Sequence, residues 1–422
     1  MERFRTNESI ARRDIFETED EERLVAETRE LLDSLDEEAL RDIFERELRL
    51  SGVESPTDTV DARFIPFNEV VVDGKYKGGT SGYFVYRGEI ALNAKPIHQS
   101  AEGYTILAQQ DTVQVLSTLI DERNELEKSV DYPASRPLHK QVFTLKKDFA
   151  ILKNVYELQA RIKALFGSRV MDEDLMRKVF ATIRTVHTLT HEELHAISTE
   201  RGVQSEREED EVMTRITGRR TSGIKESSYI MKFDSLEIKP SIDVDYNRFT
   251  GINEGVTELI NRRLAKEYLE TVLPKSVLST DISAFYDLVE IGSYNRERWV
   301  AEQLVTLFSA IAEVPTDVVE RSLFRSYLNG GDFLPEELIA AVRHDVPELS
   351  QERVLQLLLK LQVAISADSF AEGADADINR VFLEFANLLP SAKRDEVKDA
   401  FQALFYKYSF SKELQDGVVE TE

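Results

Sequence analysis

Between Asp20 and Leu50 the apolar residues Leu24, Leu31, Leu32, Leu35, Leu40, Ile43, Phe44 and Leu48 recur every three or four positions among acids. That period predicts an amphipathic helix. Ser51 to Asp61 carries Gly, Pro, Ser and Thr and predicts a linker. The pattern then changes. Arg63 to Phe67 and Val70 to Val72 are short strand candidates, and residues 78–82 (GGTSG) predict a turn. Tyr83 to Tyr86 and Glu89 to Asn93 flank Arg87-Gly88 as a β-hairpin. Helical periods follow over Thr112 to Lys128, Leu145 to Phe166 and Asp172 to Ser198. Asp172 suits an N-cap, Leu175, Val179, Ile183 and Val186 form the third helix's stripe, and Gly202 marks its expected stop. The charge-dense stretch from Arg201 to Arg220 predicts a mobile loop, and Tyr229–Phe233 and Leu236–Ile238 have strand character. A further helix begins at Asn253 and runs to about Leu273. Beyond Pro274 the pattern is helical almost throughout. Its pieces lie near 283–290, 296–312, 315–328, 335–343, 351–366, 376–389 and 393–408, with a frayed acidic tail from Ser411. No repeat of fixed period is present.

These elements predict an α+β chain that is mainly helical, with a small mixed or antiparallel sheet and an α-helical C-terminal domain. At 422 residues it exceeds one small core. The expected division is an N-terminal helical segment at 1–58, a central domain at 59–312 and a helical domain at 313–422. Charge narrows the partners. Lys and Arg number 53 and Asp and Glu 78, for a net −25. That balance repels phosphate backbones and argues against nucleic acid. No apolar run approaches the roughly 18 residues of a membrane span. The charged N-terminus lacks an apolar signal core, so a cytoplasmic location is the default expectation. Cysteine is absent, so any zinc must be held by histidine and carboxylate.

The third helix ends in His191-Glu192-Glu193-Leu194-His195, the pattern HExxH. Residues four apart on a helix share a face, so both imidazoles can bind one Zn²⁺. Glu192 can then act as general base on a metal-activated water. A third ligand is needed, and residues 251–258 (GINEGVTE) offer Glu254 and Glu258, again one turn apart. One can ligate the metal while the other accepts the free N–H of a ligand imidazole.

HEELH followed by NEGVTE resembles the gluzincin metallopeptidases, the group of thermolysin-like enzymes and zinc aminopeptidases. The resemblance implies a zincin-like catalytic core in which His191, His195 and Glu254 are the zinc ligands and Glu192 is the base. It implies that Glu258 supports His191 from behind and that the strands before HEELH hold extended peptide. A Tyr or His donor to the oxyanion is also implied, for which Tyr246 and Tyr294 are the candidates. The His195–Glu254 spacing, 254 − 195 = 59 positions, is longer than in the best-known members.

The implied activity is zinc-dependent hydrolysis of a peptide or protein substrate. Alternatives stand beside it. HEELH can be a charged helix end that spells the motif by chance. Glu254 can be an acid suited to a helix N-terminus, and Glu258 a surface acid paired with Arg262. The two glutamates can also exchange roles. His187, one turn before His191, reads either as a packing residue or as a cleft residue. At the level of the whole chain, the alternative is a helical interaction or scaffold protein with a silent zincin-like core. A zinc amidase acting on a non-peptide substrate is a third possibility.

Overall fold

The computed structural model describes residues 19–53, 64–74, 82–85, 89–109, 158–198, 200–209, 213–223, 225–234, 241–273, 278, 282, 294–329, 351–366 and 374–419. Among these, helix predominates. The predicted helix at 112–128, the start of the one at 145–166, the strand at 236–238, the turn at 78–81 and the pieces at 283–290 and 335–343 lie outside the described residues.

The N-terminal period resolves into two helices, α1 (Glu19–Asp33) and α2 (Glu37–Leu50), with a break at residues 34–36. The break follows from Asp36. Its carboxylate accepts the Ala39 N–H at 3.0 Å and starts α2 afresh as an N-cap. Residues 64–66 are not a strand as expected, and Phe67–Glu69 is a single 3₁₀ turn leading into β1 (Val71–Asp73). β2 (Gly82–Val85) and β3 (Glu89–Asn93) form the expected antiparallel pair. β1 lies against β3 in parallel, so the sheet has the order β1-β3-β2 and is mixed rather than antiparallel. α3 (Ala94–Gln109) follows directly and packs on α4 (Glu173–Ile197).

α4 begins as the sequence predicts, with Asp172 accepting the Leu175 N–H at 3.0 Å. It ends at Ile197, before Gly202, because the chain turns extended at Ser198 and enters a strand. The predicted mobile loop is strand instead. β4 (Glu200–Glu209), β5 (Met213–Ser222), β6 (Lys225–Asp234) and β7 (Ser241–Arg248) form an antiparallel sheet in sequential order. Charge density misled the reading here. Long two-sided strands tolerate charges at alternate positions, and the ladder hydrogen bonds supply what periodicity does not show.

β7 reverses into α5 (Thr250–Val272) through Phe249, whose φ of +58° is left-handed. That conformation costs a bulky L-residue roughly 1–2 kcal/mol. Five further helices follow: α6 (Asn295–Ala312), α7 (Thr316–Asn329), α8 (Gln351–Ser366), α9 (Ala374–Asn387) and α10 (Ser391–Val419). The last remains helical to Val419, past the start of the expected frayed tail at Ser411. One apolar core runs from Leu31 to Phe401 and includes the α4 stripe, α5, Trp299 on α6 and the C-terminal helices. Burying a Val or Ile such as Val179 or Ile183 contributes about 1.5–3 kcal/mol each. No helix among the described residues is long and apolar enough to cross a membrane.

Candidate metal centre

The C-terminal half of α4 is buried on nearly every face, although it carries Thr185, His187, Thr188, Thr190, His191, Glu192 and Glu193. Buried polar groups cost several kcal/mol unless partnered, so their partners define what this turn is built around. Glu193 is wholly buried and accepts the Ile65 backbone N–H at 2.9 Å, tying the motif helix to the segment entering β1. Thr190 returns its hydroxyl to the Val186 carbonyl.

His191 and His195 face α5. The His191 Nε2 and His195 Nε2 atoms are 3.2 Å apart. Glu254 Oε2 lies 3.4 Å from the first and 3.3 Å from the second. The ligating atoms of these three residues all fall within 4.8 Å of one another. Glu254 Oε2 is buried and completes no hydrogen bond by geometry. These three atoms thus converge on one point. Two imidazole nitrogens and one carboxylate oxygen suit a divalent metal ion, and the residues fit one.

The outer ring nitrogens are also held. Glu258 accepts His191 Nδ1–H at 3.2 Å through one oxygen and His187 Nε2–H at 3.1 Å through the other. Asn261 adds a third donor to Glu258 at 3.2 Å. On the other imidazole, Tyr327 of α7 meets His195 Nδ1 with its hydroxyl at 3.0 Å. The Tyr294 ring stacks on His191, with centroids 5.2 Å apart and planes inclined by 9°.

The electrostatics follow. Burial alone would raise Glu254, but the imidazoles, His195 foremost, outweigh it and hold the carboxyl below its usual range. Burial would likewise raise Glu258, and His187 and His191 hold it well below. His187 itself is pushed down by burial, which Glu258 only partly offsets, so it sits neutral. Burial disfavours a charged His191, yet Glu254 and Glu258 on either side raise it to about 10. The metal-free cluster therefore keeps a proton where a cation would otherwise balance the two carboxylates.

α5 and α6 approach closely at this site because Gly255 has no side chain. A Cβ there would lie 2.2 Å from the Glu297 carbonyl oxygen and 3.3 Å from Ala301 Cβ. That approach brings the start of α6, and with it Tyr294, against the motif helix.

The structure thus brings His191, His195, Glu254, Glu258 and Tyr294 together. Glu192, on the same turn, is buried. Tyr246 lies on β7 opposite Ser228 in the ladder, and its side chain is outside what is described. Sequence reasoning missed Tyr327 and Asn261 and left His187 open. Asn261 had a signal, since it falls one turn beyond Glu258 on the same helix. Tyr327 had none, because it arrives from a separate helix 132 residues after His195. No family model, curated protein or solved structure matches the chain.

Proposed function

We propose that this protein is a zinc-dependent peptidase of the gluzincin type, with a zincin-like catalytic core and an appended helical domain. The observation that supports it best is the meeting of His191 Nε2, His195 Nε2 and Glu254 Oε2 within 4.8 Å. Two separate helices contribute to that meeting. Chance spelling of HExxH does not require a buried carboxylate from a distant helix to arrive at the same point.

His191, His195 and Glu254 would hold the ion. A zinc ion held there would supply Lewis acidity to an attacking water and a scissile carbonyl. Glu192 takes the proton of that water and returns it to the leaving amine. Glu258, kept ionised by its three donors, holds His191 in the tautomer whose Nε2 carries a lone pair. Tyr294 is the favoured donor to the oxyanion, because its ring already lies on His191. Burial, with the negative field of Glu254 and Glu192, pushes its hydroxyl far up, so it keeps its proton at neutral pH. Tyr246 is the second candidate donor. The mixed sheet β1-β3-β2 packs beside α4 and offers an edge for extended peptide.

The test has two arms. Metal analysis of the purified chain gives roughly one zinc per molecule, lost in His195→Ala. Peptide cleavage falls by about 10²- to 10⁴-fold in Glu192→Gln while zinc is retained, the range for removal of a general base. A protein without stoichiometric metal, or a Glu192→Gln variant as active as the parent, ends the peptidase reading in favour of a scaffold.

A further inference from the structure

We propose that helix α2 is a brace that holds both ligand-bearing helices from behind, acting through Glu193 on α4 and Arg263 on α5 as positioning residues. The inference rests on the peptidase reading only in taking His191, His195 and Glu254 as the ligand set.

Helix geometry sets Glu193 on the back of the motif helix. It stands two residues from each histidine, about 200° of rotation beyond His191 and about 160° before His195. It is wholly buried, so its carboxylate must be satisfied inside the protein. It accepts the Ile65 backbone N–H at 2.9 Å, and a backbone N–H can only donate. Ile65 begins a short segment, residues 65–70, that leads into β1 and is pinned by side chains from three helices. Besides Glu193 of α4, Glu37 of α2 accepts the Phe67 N–H at 2.8 Å, and Arg29 of α1 donates to the Val70 carbonyl at 2.8 Å. The segment therefore fastens the back of α4 to α1 and α2.

The other ligand helix is fastened to the same α2, which packs along α5. Arg263 follows Glu254 by 263 − 254 = 9 positions, about two and a half turns, so it projects from the opposite side of α5. There it pairs with Glu47, a buried carboxylate of α2, and reaches Glu320 of α7 at 3.5 Å. Arg46 of α2 also pairs with Glu267 of α5, but that pair is exposed and contributes little. Glu47 is the group that cannot lose its partner, because an uncompensated buried charge is costly. The contacts close a ring. At the front, His191 and His195 meet Glu254 across α4 and α5. At the back, Glu193 and Arg263 tie the same two helices to α2. Such a ring fixes the rotation at which α4 presents its imidazoles to α5.

The test uses graded variants of the full chain. Glu193→Gln keeps the length and an acceptor oxygen. Glu193→Asp keeps the carboxylate but withdraws it by one methylene. Arg263→Met keeps the stem and removes the guanidinium. Arg380→Met, which breaks an exposed ion pair within α9, is the control. Zinc affinity of the folded protein is read by competition with a chromogenic chelator, below the onset of unfolding. It is expected to weaken about tenfold in Glu193→Asp and in Arg263→Met, the low end for groups that orient a ligand from outside. Glu193→Gln and the control are expected to match the parent. Hydrogen exchange of the metal-free protein is the second readout, with faster exchange expected at the Ile65 amide and the last turns of α4 in Glu193→Asp but not in Glu193→Gln. Parental zinc affinity in Glu193→Asp or Arg263→Met overturns the proposal even where stability falls, because a purely structural contact behaves that way. A parent that binds zinc but cleaves no peptide sinks the peptidase reading and leaves the brace intact. A parent that binds no zinc also ends that reading, and exchange then decides the brace: parental protection in Glu193→Asp overturns it.

Discussion

Gly255→Ala adds one methyl group at the place where α5 and α6 touch. The new Cβ would sit 2.2 Å from the Glu297 carbonyl oxygen and 2.6 Å from its carbon, where real contacts stay beyond 3.0 Å. The obstacle is backbone, so no rotamer change relieves it. The helices must part by at least 3.0 − 2.2 = 0.8 Å at the crossing. Overpacking of this kind costs about 1–3 kcal/mol, while replacing a mid-helix glycine by alanine returns about 1 kcal/mol. The net loss of stability is therefore modest, on the order of 0–2 kcal/mol by the same two terms. The loss at the site is expected to be larger. Glu254 is the adjacent residue and Tyr294 heads the displaced helix, and a misplacement near an ångström costs about 10²-fold in rate. Gly251→Ala is the matched control one turn earlier. There the Cβ would meet Ile365 Cγ2 at 2.4 Å, the end of a side chain that can move. Urea unfolding gives the stability and chelator competition the zinc affinity, with peptide turnover as the third measurement. The reasoning fails if Gly255→Ala matches the parent in affinity and turnover, or if Gly251→Ala impairs them equally.

Three further outcomes are expected. His191 is raised to about 10 in the metal-free cluster, so zinc must displace a proton from it at neutral pH. Calorimetry in buffers of different ionisation enthalpy should show about one proton released, with apparent affinity falling roughly tenfold per unit of pH lost below that value. The sign for stability is opposite in the metal-free form. A histidine raised above its unfolded value of about 6.5 stabilises fully below that pH, and its contribution is lost as pH rises through about 10. Metal-free protein that grows more stable over that window through this group would contradict the assignment. Asp172→Ala removes the cap of the motif helix and should cost about 1 kcal/mol. Circular dichroism during chemical unfolding measures it, and no change in the midpoint would mean that the cap contributes nothing.

The sequence by itself determined what is local. Periods of three and four residues placed α4, α5, α6 and α8 within a few residues, and Asp172 marked a start because capping involves atoms three residues apart. The four-residue spacing of His191 and His195, and of Glu254 and Glu258, predicted shared faces because helix geometry dictates them. Tertiary structure decided everything that depends on a distant partner. The charged stretch after α4 became strands because a ladder, invisible in one strand's composition, satisfies its backbone. β1 joined β3 in parallel through a crossing that no local signal encodes. Whether Glu254 or Glu258 faces the imidazole Nε2 atoms depends on how α5 lies across α4. The close approach of α5 to α6 is permitted by the bare backbone of Gly255, and His195 is met by Tyr327 arriving from α7. Sequence spacing expresses the geometry of one helix. The relation between helices is a property of the packed core, where a single missing Cβ sets the distance.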